Sequence, residues 1–390
     1  MKVSIIGAGA AGCFCAIELK RRRTDMDVTI YEAGPKPLAK VAVTGGGRCN
    51  LTNSFARISR LEEAYPRGGQ VMKRVLRAFS QRDTMGWFEK EGVALLTQED
   101  GCVFPVSQDA MQIVRTLERL MHELGVKVVC NKKVGSILEL DAECIVITVG
   151  GSSKAVLQAL LPDDVAITDT VPSLFTFKIA DESLRALMGT VVDNVALSLA
   201  GTAFRSHGTL LVTDWGVSGP ATLKLSSYAA RHLADSAYRG TLLVNWLDRP
   251  ESDVRQILEA CISGNAKKFV SNAHPDGMTE RLWHHLLQRS GIRGDLRWQE
   301  LGSKGFNKLV STLTADSYQI TGRARFKEEF VTCGGVDLAG IDLNTLESKT
   351  HPGLFFAGEV LDIDAVTGGF NLQAAWSTGY VVARTIAAEK

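Results

Sequence analysis

A chain of 390 residues with 45% apolar and 22% charged residues is long enough for two or three domains and a large buried core. Its formal net charge of +1 excludes a global attraction to nucleic acid or anionic lipid, and no run of 18 apolar residues marks a membrane span. Eight scattered cysteines show neither CxxC nor Cys/His ligand spacing, so they read as reduced thiols, and no metal site is expected.

The chain opens on a β-branched strand, KVSII (2–6), followed by GAGAAG (7–12) and a helical stretch at 13–22. In that arrangement Gly7 permits the tight strand-to-helix turn, Gly9 lets a pyrophosphate approach the backbone, and Gly12 lets the helix pack on the strand. Ala10 and Ala11 sit at a helix N-terminus whose free N–H groups and positive dipole end face phosphate. VTIY (28–31) supplies a second strand, and Glu32 follows, 20 residues beyond Gly12, where an acid accepts from ribose hydroxyls; Ala33 stands beside it. Strand, helix, strand and acid together predict dinucleotide binding. A first strand that begins at residue 2 leaves no expected leader peptide, which makes the cytoplasm the expected compartment.

TGGGRCNLTN (44–53) begins 32 residues after Gly12. Gly46 and Gly47 leave the backbone bare for a ligand, Arg48 supplies a cation for a pyrophosphate, and Asn50 and Thr52 add polar side chains. Cys49 and Asn50 are candidate catalytic residues, although small-core packing is the commoner role of such a cysteine. Val71–Glu91 and Ala110–Leu124 carry helical periodicity, and Lys127–Cys130 and Glu143–Val149 read as strands. The second of these ends at Gly150-Gly151, so Thr148 and Gly150 join the cofactor-binding set.

From Pro172 the pattern changes. Short strands at 176–179, 194–199, 208–213 and 241–245 lack regular intervening helices, whereas 250–313 reads as mostly helical, with amphipathic pieces at 254–261 and 280–289. Basic clusters at Lys20–Arg23, at Lys73, Arg74 and Arg77, and at Arg323, Arg325 and Lys327 read as solvated faces. Arg293, Arg297, Trp298, Lys304 and Lys308 form a candidate set for RNA phosphate and base contacts.

Near Phe330 the opening style returns with EFVTCGGV (329–336) and LFFAGE (354–359), then DIDAVTGGFNLQAAWSTG (362–379). Gly358 is a close-approach position, and Glu359 or Asp362 is placed to accept from a ribityl hydroxyl. Gly368-Gly369 precede a helix running from Phe370 to about Ala387. Its N-terminus suits the negative charge that a reduced flavin carries at its pyrimidine edge. Asn371 and Gln373 either hydrogen-bond the flavin or cap that helix. One fingerprint plus this second contact favours FAD over NAD; no second GxGxxG marks a nicotinamide domain, which leaves NADH or NADPH as a transient electron donor. The fold class is α/β: a Rossmann-type FAD-binding domain (1–178 and 319–390) interrupted by an insert (179–318), β-rich to about 249 and helical from 250.

The sequence resembles the YhiN-type, HI0933-like family of bacterial FAD flavoproteins, which includes aminoacetone oxidase-like proteins. The resemblance rests on GAGAAG (7–12), TGGGRCNLTN (44–53), LLVTDWGVSGPATLKLSS (210–227), VTCGGV (331–336) and GEVLDIDAVTGGFNLQAAWSTG (358–379). It implies a β-barrel part within the insert. It also implies that Gly7, Gly9, Gly12 and Glu32 hold the adenosine and pyrophosphate half, that Gly46, Gly47, Arg48 and Asn50 lie along the pyrophosphate and ring, and that Gly358, Glu359, Gly369, Asn371 and Gln373 hold the ribityl chain and flavin. Activities of the family include oxidation of a small aminoketone, reduction of a steroid ring and reduction of uridine in ribosomal RNA. The expected function is hydride transfer through flavin N5 to a C=C bond, on a small molecule or on ribosomal RNA. The alternatives are a small-molecule amine or aminoketone oxidase and a non-catalytic flavin-binding protein. The sequence departs from the family pattern in two places. SSKAVLQALLPDD (152–164) replaces a longer glycine-rich stretch, and Thr213-Asp214 stands where the family has Thr-His. That makes Asp214 a third candidate catalytic residue, able to donate a proton near pH 7 only if burial raises its pKa.

Overall fold

A computed structural model describes residues 1–324 and 331–388. Contacts divide the chain into one unit made of Met1–Val171 with Val331–Lys390 and a second made of Pro172–Phe330.

The first unit is built on a five-stranded parallel sheet in the order Leu354–Phe356, Cys144–Ile147, Lys2–Ile6, Asp27–Tyr31, Lys127–Val129. Lys2–Ile6 lies in the middle, and Val3 and Ile5 on one face and Ser4 and Ile6 on the other are all buried, as a strand covered on both faces requires. The helix Ala10–Arg22 follows this strand, and the terminal helix Phe370–Ala388 packs against it. The two backbones approach closely at Gly379, where a Cβ would stand 2.8 Å from the Ala11 carbonyl oxygen. Phe14, Trp87, Phe88 and Trp376 fill the space around this pair with ring centroids 4.7–5.5 Å apart. The expected helix at 71–91 is two helices, Gly69–Ala78 and Gln81–Lys90. Ser80 starts the second with a capping box to Asp83, a break that the continuous apolar stripe hides. A small antiparallel sheet joins Thr52–Asn53, Cys102–Pro105 and Leu95–Thr97.

The second unit contains a closed antiparallel barrel in the order Val191–Leu199, Arg205–Thr213, Gly216–Ser218, Phe177–Ile179, Asp316–Arg323, Gly240–Asn245. Between Gly240–Asn245 and Asp316–Arg323 the chain forms the helices Glu251–Asn265, Glu280–Arg289 and Gly302–Ala315. The division of the chain falls at 171/172 and 330/331, not at 178/179 and 318/319. The reason is pairing: Phe177–Ile179 and Asp316–Arg323 are neighbouring barrel strands. Among the described residues the β-rich part also holds three helices that its sequence pattern does not announce, Glu182–Arg185, Pro220–Tyr228 and Ala230–Asp235. Pro220 opens the second, after Gly219 at φ 91°. Among the described residues no helix is long and apolar enough to cross a membrane. Arg325 and Lys327 of the third basic cluster lie outside the described residues.

A polar network is buried where the barrel meets its helices. Arg289 donates to the Asp316 carboxylate at 2.6 and 3.0 Å and to Asp181 at 3.2 Å. Trp246 Nε1 and the Tyr318 hydroxyl donate to the other Asp316 oxygen, and His285 Nε2 lies 3.0 Å from the Tyr318 hydroxyl. Burial lowers the His285 pKa below its ordinary 6.5, against the raising influence of Asp316 and Asp181 and with the help of Arg289. The unfolded chain therefore binds the His285 proton more readily, so stability falls as pH drops below the ordinary histidine value. Hydrogen-exchange protection of the barrel strands should decline between about pH 7.5 and 5.5, and a His285→Gln variant should show a shallower decline than the wild type.

Candidate functional site

The first unit's site starts at the turn after Lys2–Ile6. A Cβ on Gly12 would stand 2.1 Å from the Gly7 carbonyl oxygen and 2.5 Å from Thr148 Oγ1, and Gly7 itself has φ 105°. The Thr148 hydroxyl bonds the Ile6 and Gly7 carbonyls at 3.0 and 2.7 Å and so fixes the turn from the neighbouring strand. Gly7 and Gly12 are thus demanded by the protein's own packing. Gly9 is different: it has ordinary backbone angles (φ −83°, ψ −170°), and a Cβ there would meet nothing within 4 Å. The chain's own packing does not call for a glycine there. Ala10 and Ala11 begin a helix with no side-chain cap and no acid in its first turn, so its N–H groups remain for an anion.

Glu32 is half-buried. Its carboxylate accepts from the Ala8 N–H at 2.8 Å and the Gly34 N–H at 2.6 Å, tying the second strand's end to the turn. Beside it opens a cavity of ≈ 400 Å³ whose walls include Ile6, Tyr31, Ala33, Val134, Val149, Val156 and Leu160. The helix Lys154–Leu160, within the stretch that departs from the family pattern, supplies one wall. An apolar slot with one carboxylate at its edge suits a purine with its ribose.

At Thr44 the helix that begins at Ala39 breaks, and Gly45, Gly46 and Gly47 take φ 58°, 69° and 82°. Gly46 and Gly47 are exposed and meet nothing within 4 Å. Arg48 is exposed, with its guanidinium 4.5 Å from the Phe104 ring centroid. Cys49 is fully buried, and burial pushes its thiol up to about 12, against the lowering bond to Thr44. It is a protonated packing group at neutral pH, not a thiolate nucleophile.

Residues 50–53 are clamped to the start of the terminal helix. The Asn50 amide accepts from the Gly369 N–H at 3.2 Å and donates to the Thr52 carbonyl at 3.0 Å. The Thr52 hydroxyl donates to Gln373 Oε1 at 2.5 Å, Asn53 Nδ2 donates to the Gly368 carbonyl at 2.9 Å, and Trp376 Nε1 donates to the Leu51 carbonyl at 3.0 Å. The Tyr65 hydroxyl closes the same corner by donating to the Phe370 carbonyl at 2.8 Å. Gly369 has φ 87°, and a Cβ there would stand 2.3 Å from the Thr52 carbonyl oxygen, so the clamp admits no side chain.

The side chains expected to reach a flavin are instead used in this scaffold. Gln373 is fully buried between Thr52 and Ser377, and Asn371 makes a two-point contact with the Ala365 backbone at 2.9 and 3.0 Å. Neither caps the helix. Phe370 is buried, edge-on to Phe55 and Tyr65. Thr378 Oγ1 accepts from the Gly358 N–H at 2.9 Å; Glu359 accepts from the Thr332 N–H at 2.9 Å and lies 3.4 Å from Lys40 Nζ. Gly150, at φ 69°, has Glu359 and Lys40 as its neighbours. Asp362 is half-buried, its N–H bonded to the Val336 carbonyl at 3.1 Å, and the following segment is anchored by the ion pair of Arg67 with the fully buried Asp364. In the second unit Asp214 is exposed at the turn between two barrel strands, so the burial that a proton-donating role requires is missing.

Asn53, Tyr65, Trp376, Lys40 and the Arg67–Asp364 pair are contributors that sequence reasoning did not assign. Asn53 and Trp376 lay inside quoted motifs, whereas Tyr65, Lys40 and Arg67 carry no local signal. The two kinds of glycine give a direct test. Gly9→Ala should leave melting of the apoprotein within about 1 kcal/mol of wild type yet lower the bound dinucleotide seen by absorbance. Gly12→Ala should destabilise the fold by about 1–3 kcal/mol through overpacking. Full dinucleotide binding by Gly9→Ala would contradict this division of roles.

The family model described as the HI0933-like protein Rossmann domain matches residues 1–385. A protein of Escherichia coli (strain K12) named ribosomal RNA dihydrouridine synthase is 31% identical over 99% of this chain and 98% of its own length. A protein of the same name from Haemophilus influenzae is 28% identical over 98% and 97%. The 3-dehydro-bile acid delta(4,6)-reductase of Clostridium scindens is 27% identical over 99% of each chain. With its Rossmann turn, its bare glycines and a family match over nearly its whole length, the chain belongs to the HI0933-like family of FAD-dependent oxidoreductases.

Proposed function

We propose that this protein reduces a carbon–carbon double bond conjugated to a carbonyl, with uridine in ribosomal RNA as its substrate and NADH or NADPH as its electron donor. The observation that carries the cofactor part is the bare backbone at Gly9, where neither packing nor backbone angles call for a glycine, together with the exposed run Gly46-Gly47. The residues fit FAD. Glu32, at the mouth of the ≈ 400 Å³ cavity, would accept from the ribose, with the adenine against Val134, Val149 and Val156. The N-terminus beginning at Ala10 and the Arg48 guanidinium would neutralise the pyrophosphate. Gly358, Glu359, Asp362 and Gly150 would lie along the ribityl chain. Gly368, Gly369 and the acid-free first turn of the terminal helix would face the negative edge of the ring.

When bound, the cofactor supplies two-electron hydride chemistry. The chain's own part is to orient and to tune. The clamp at Asn50, Thr52 and Asn53 holds the terminal helix start in place, and that helix end stabilises negative charge. The reaction class rests on the relatives: the E. coli and C. scindens proteins differ in substrate, yet both names describe saturation of a double bond. Uridine is favoured over a steroid by the 31% identity to the ribosomal RNA enzyme.

Stopped-flow spectroscopy of the purified holoprotein tests this reading. Either NADH or NADPH should bleach the flavin, and uridine-containing ribosomal RNA should restore its colour anaerobically; a strain lacking the gene should lose dihydrouridine from that RNA by mass spectrometry. A flavin that neither nicotinamide reduces and no substrate reoxidises would overturn it. Cys49→Ser should turn over within about twofold of wild type, because the buried thiol holds its proton.

A further inference from the structure

Trp298 is not a platform for bases. It is 1% exposed, stacks on Trp283 at 6.1 Å and donates its indole N–H to the Ala273 carbonyl at 3.2 Å. The exposed aromatic of this region is Phe269, at 42%. Two short segments run antiparallel here. The Val270 N–H bonds the Leu296 carbonyl at 2.8 Å, the Trp298 N–H bonds the Lys268 carbonyl at 3.1 Å, and Phe269 is paired with Arg297. Strand alternation follows: Val270 and Trp298 turn into the core, and Phe269 and Arg297 stand opposite one another on the outer face.

The ribbon is rich in cations, with one acid close by: Glu300 accepts from the Arg297 N–H at 3.1 Å. The Arg297 guanidinium lies 5.7 Å from the Phe269 ring centroid and is held there by donation to the Lys267 carbonyl at 2.8 Å. Lys267 and Lys268 are exposed. Among the described residues neither lysine nor Arg297 has an ion-pair partner, whereas nearby Arg293 is neutralised by Asp295 at 2.6 Å. An exposed phenyl ring on a ribbon whose three cations lack ion-pair partners among the described residues joins the two elements that bind single-stranded nucleic acid: a face for a base and charges for adjacent phosphates. A protein or lipid partner would call for a broader apolar patch than one ring.

We infer that the ribbon carrying Lys267, Lys268, Phe269 and Arg297 docks a single-stranded segment of the substrate RNA. Phe269 stacks on a base, and the three cations contact the flanking phosphates. This rests on the ribosomal RNA reading proposed for the active site.

The test is fluorescence anisotropy of a fluorescein-labelled, uridine-containing single-stranded RNA oligonucleotide titrated with the full-length holoprotein. Phe269→Ala should weaken binding about tenfold, and Phe269→Tyr should restore it, because stacking needs a ring and not a particular one. The combined K267Q/K268Q/R297Q variant should lower the slope of log K against log salt by about 2, as expected for three lost phosphate contacts on a single strand. Flavin content and circular dichroism of all variants should match wild type, since the side chains are exposed. Wild-type binding with every variant within twofold would overturn the docking surface and leave the ribosomal RNA reading standing. No RNA binding by the wild type would overturn both.

Discussion

The first unit's site depends on one constraint: residues 50–53 and the start of the terminal helix are bonded to each other, although 315 or more residues of chain separate the partners. Asn50, Thr52 and Asn53 provide side chains; Gly368, Gly369 and Gln373 receive them. Each bond is worth only about 0.5–1.5 kcal/mol net, but a buried amide left without its partner costs about 1–3 kcal/mol. The segment is therefore set as a unit. Gly369 completes it because no larger residue passes the Thr52 carbonyl.

From this follows a site made chiefly of backbone. The side chains that look most like ligand contacts, Asn371 and Gln373, are spent on the scaffold. What would remain for a cofactor is a set of helix ends and bare glycines, the Arg48 guanidinium, and the carboxylates of Asp362, Glu32 and Glu359, the last two already oriented by backbone N–H groups. Such an arrangement needs little reorganisation on binding, which is the property that electrostatic tuning of a bound group requires.

Much of this was legible in the sequence, for physical reasons. A strand, a glycine turn, a helix and a terminal acid can be read because each is local, and the close contacts of Gly7 and Gly12 are those the motif demands. The closed barrel was legible only as short strands, since its closure depends on Phe177–Ile179 meeting Asp316–Arg323 across a long stretch of chain. Burial misleads where an aromatic lies beside cations: Trp298 and Phe269 have equally basic neighbourhoods, and only strand alternation decides which faces water. Asn371 and Gln373 were visible as polar residues at a helix start, but their partners, Ala365 and Thr52, are set by tertiary structure. Cys49 and Asp214 show the same limit, because neither burial nor exposure of a single side chain is written in its neighbours.

On this reading the cavity beside Glu32 and the glycine-lined backbone together would take one dinucleotide. Titration of the apoprotein with FAD, followed by flavin fluorescence with ADP as competitor and FMN as comparison, tests it most directly. FAD should bind far more tightly than FMN, and ADP should displace it, because the adenosine half would occupy the cavity and the pyrophosphate the helix end. Equal affinity for FMN and FAD, with no competition by ADP, would contradict it.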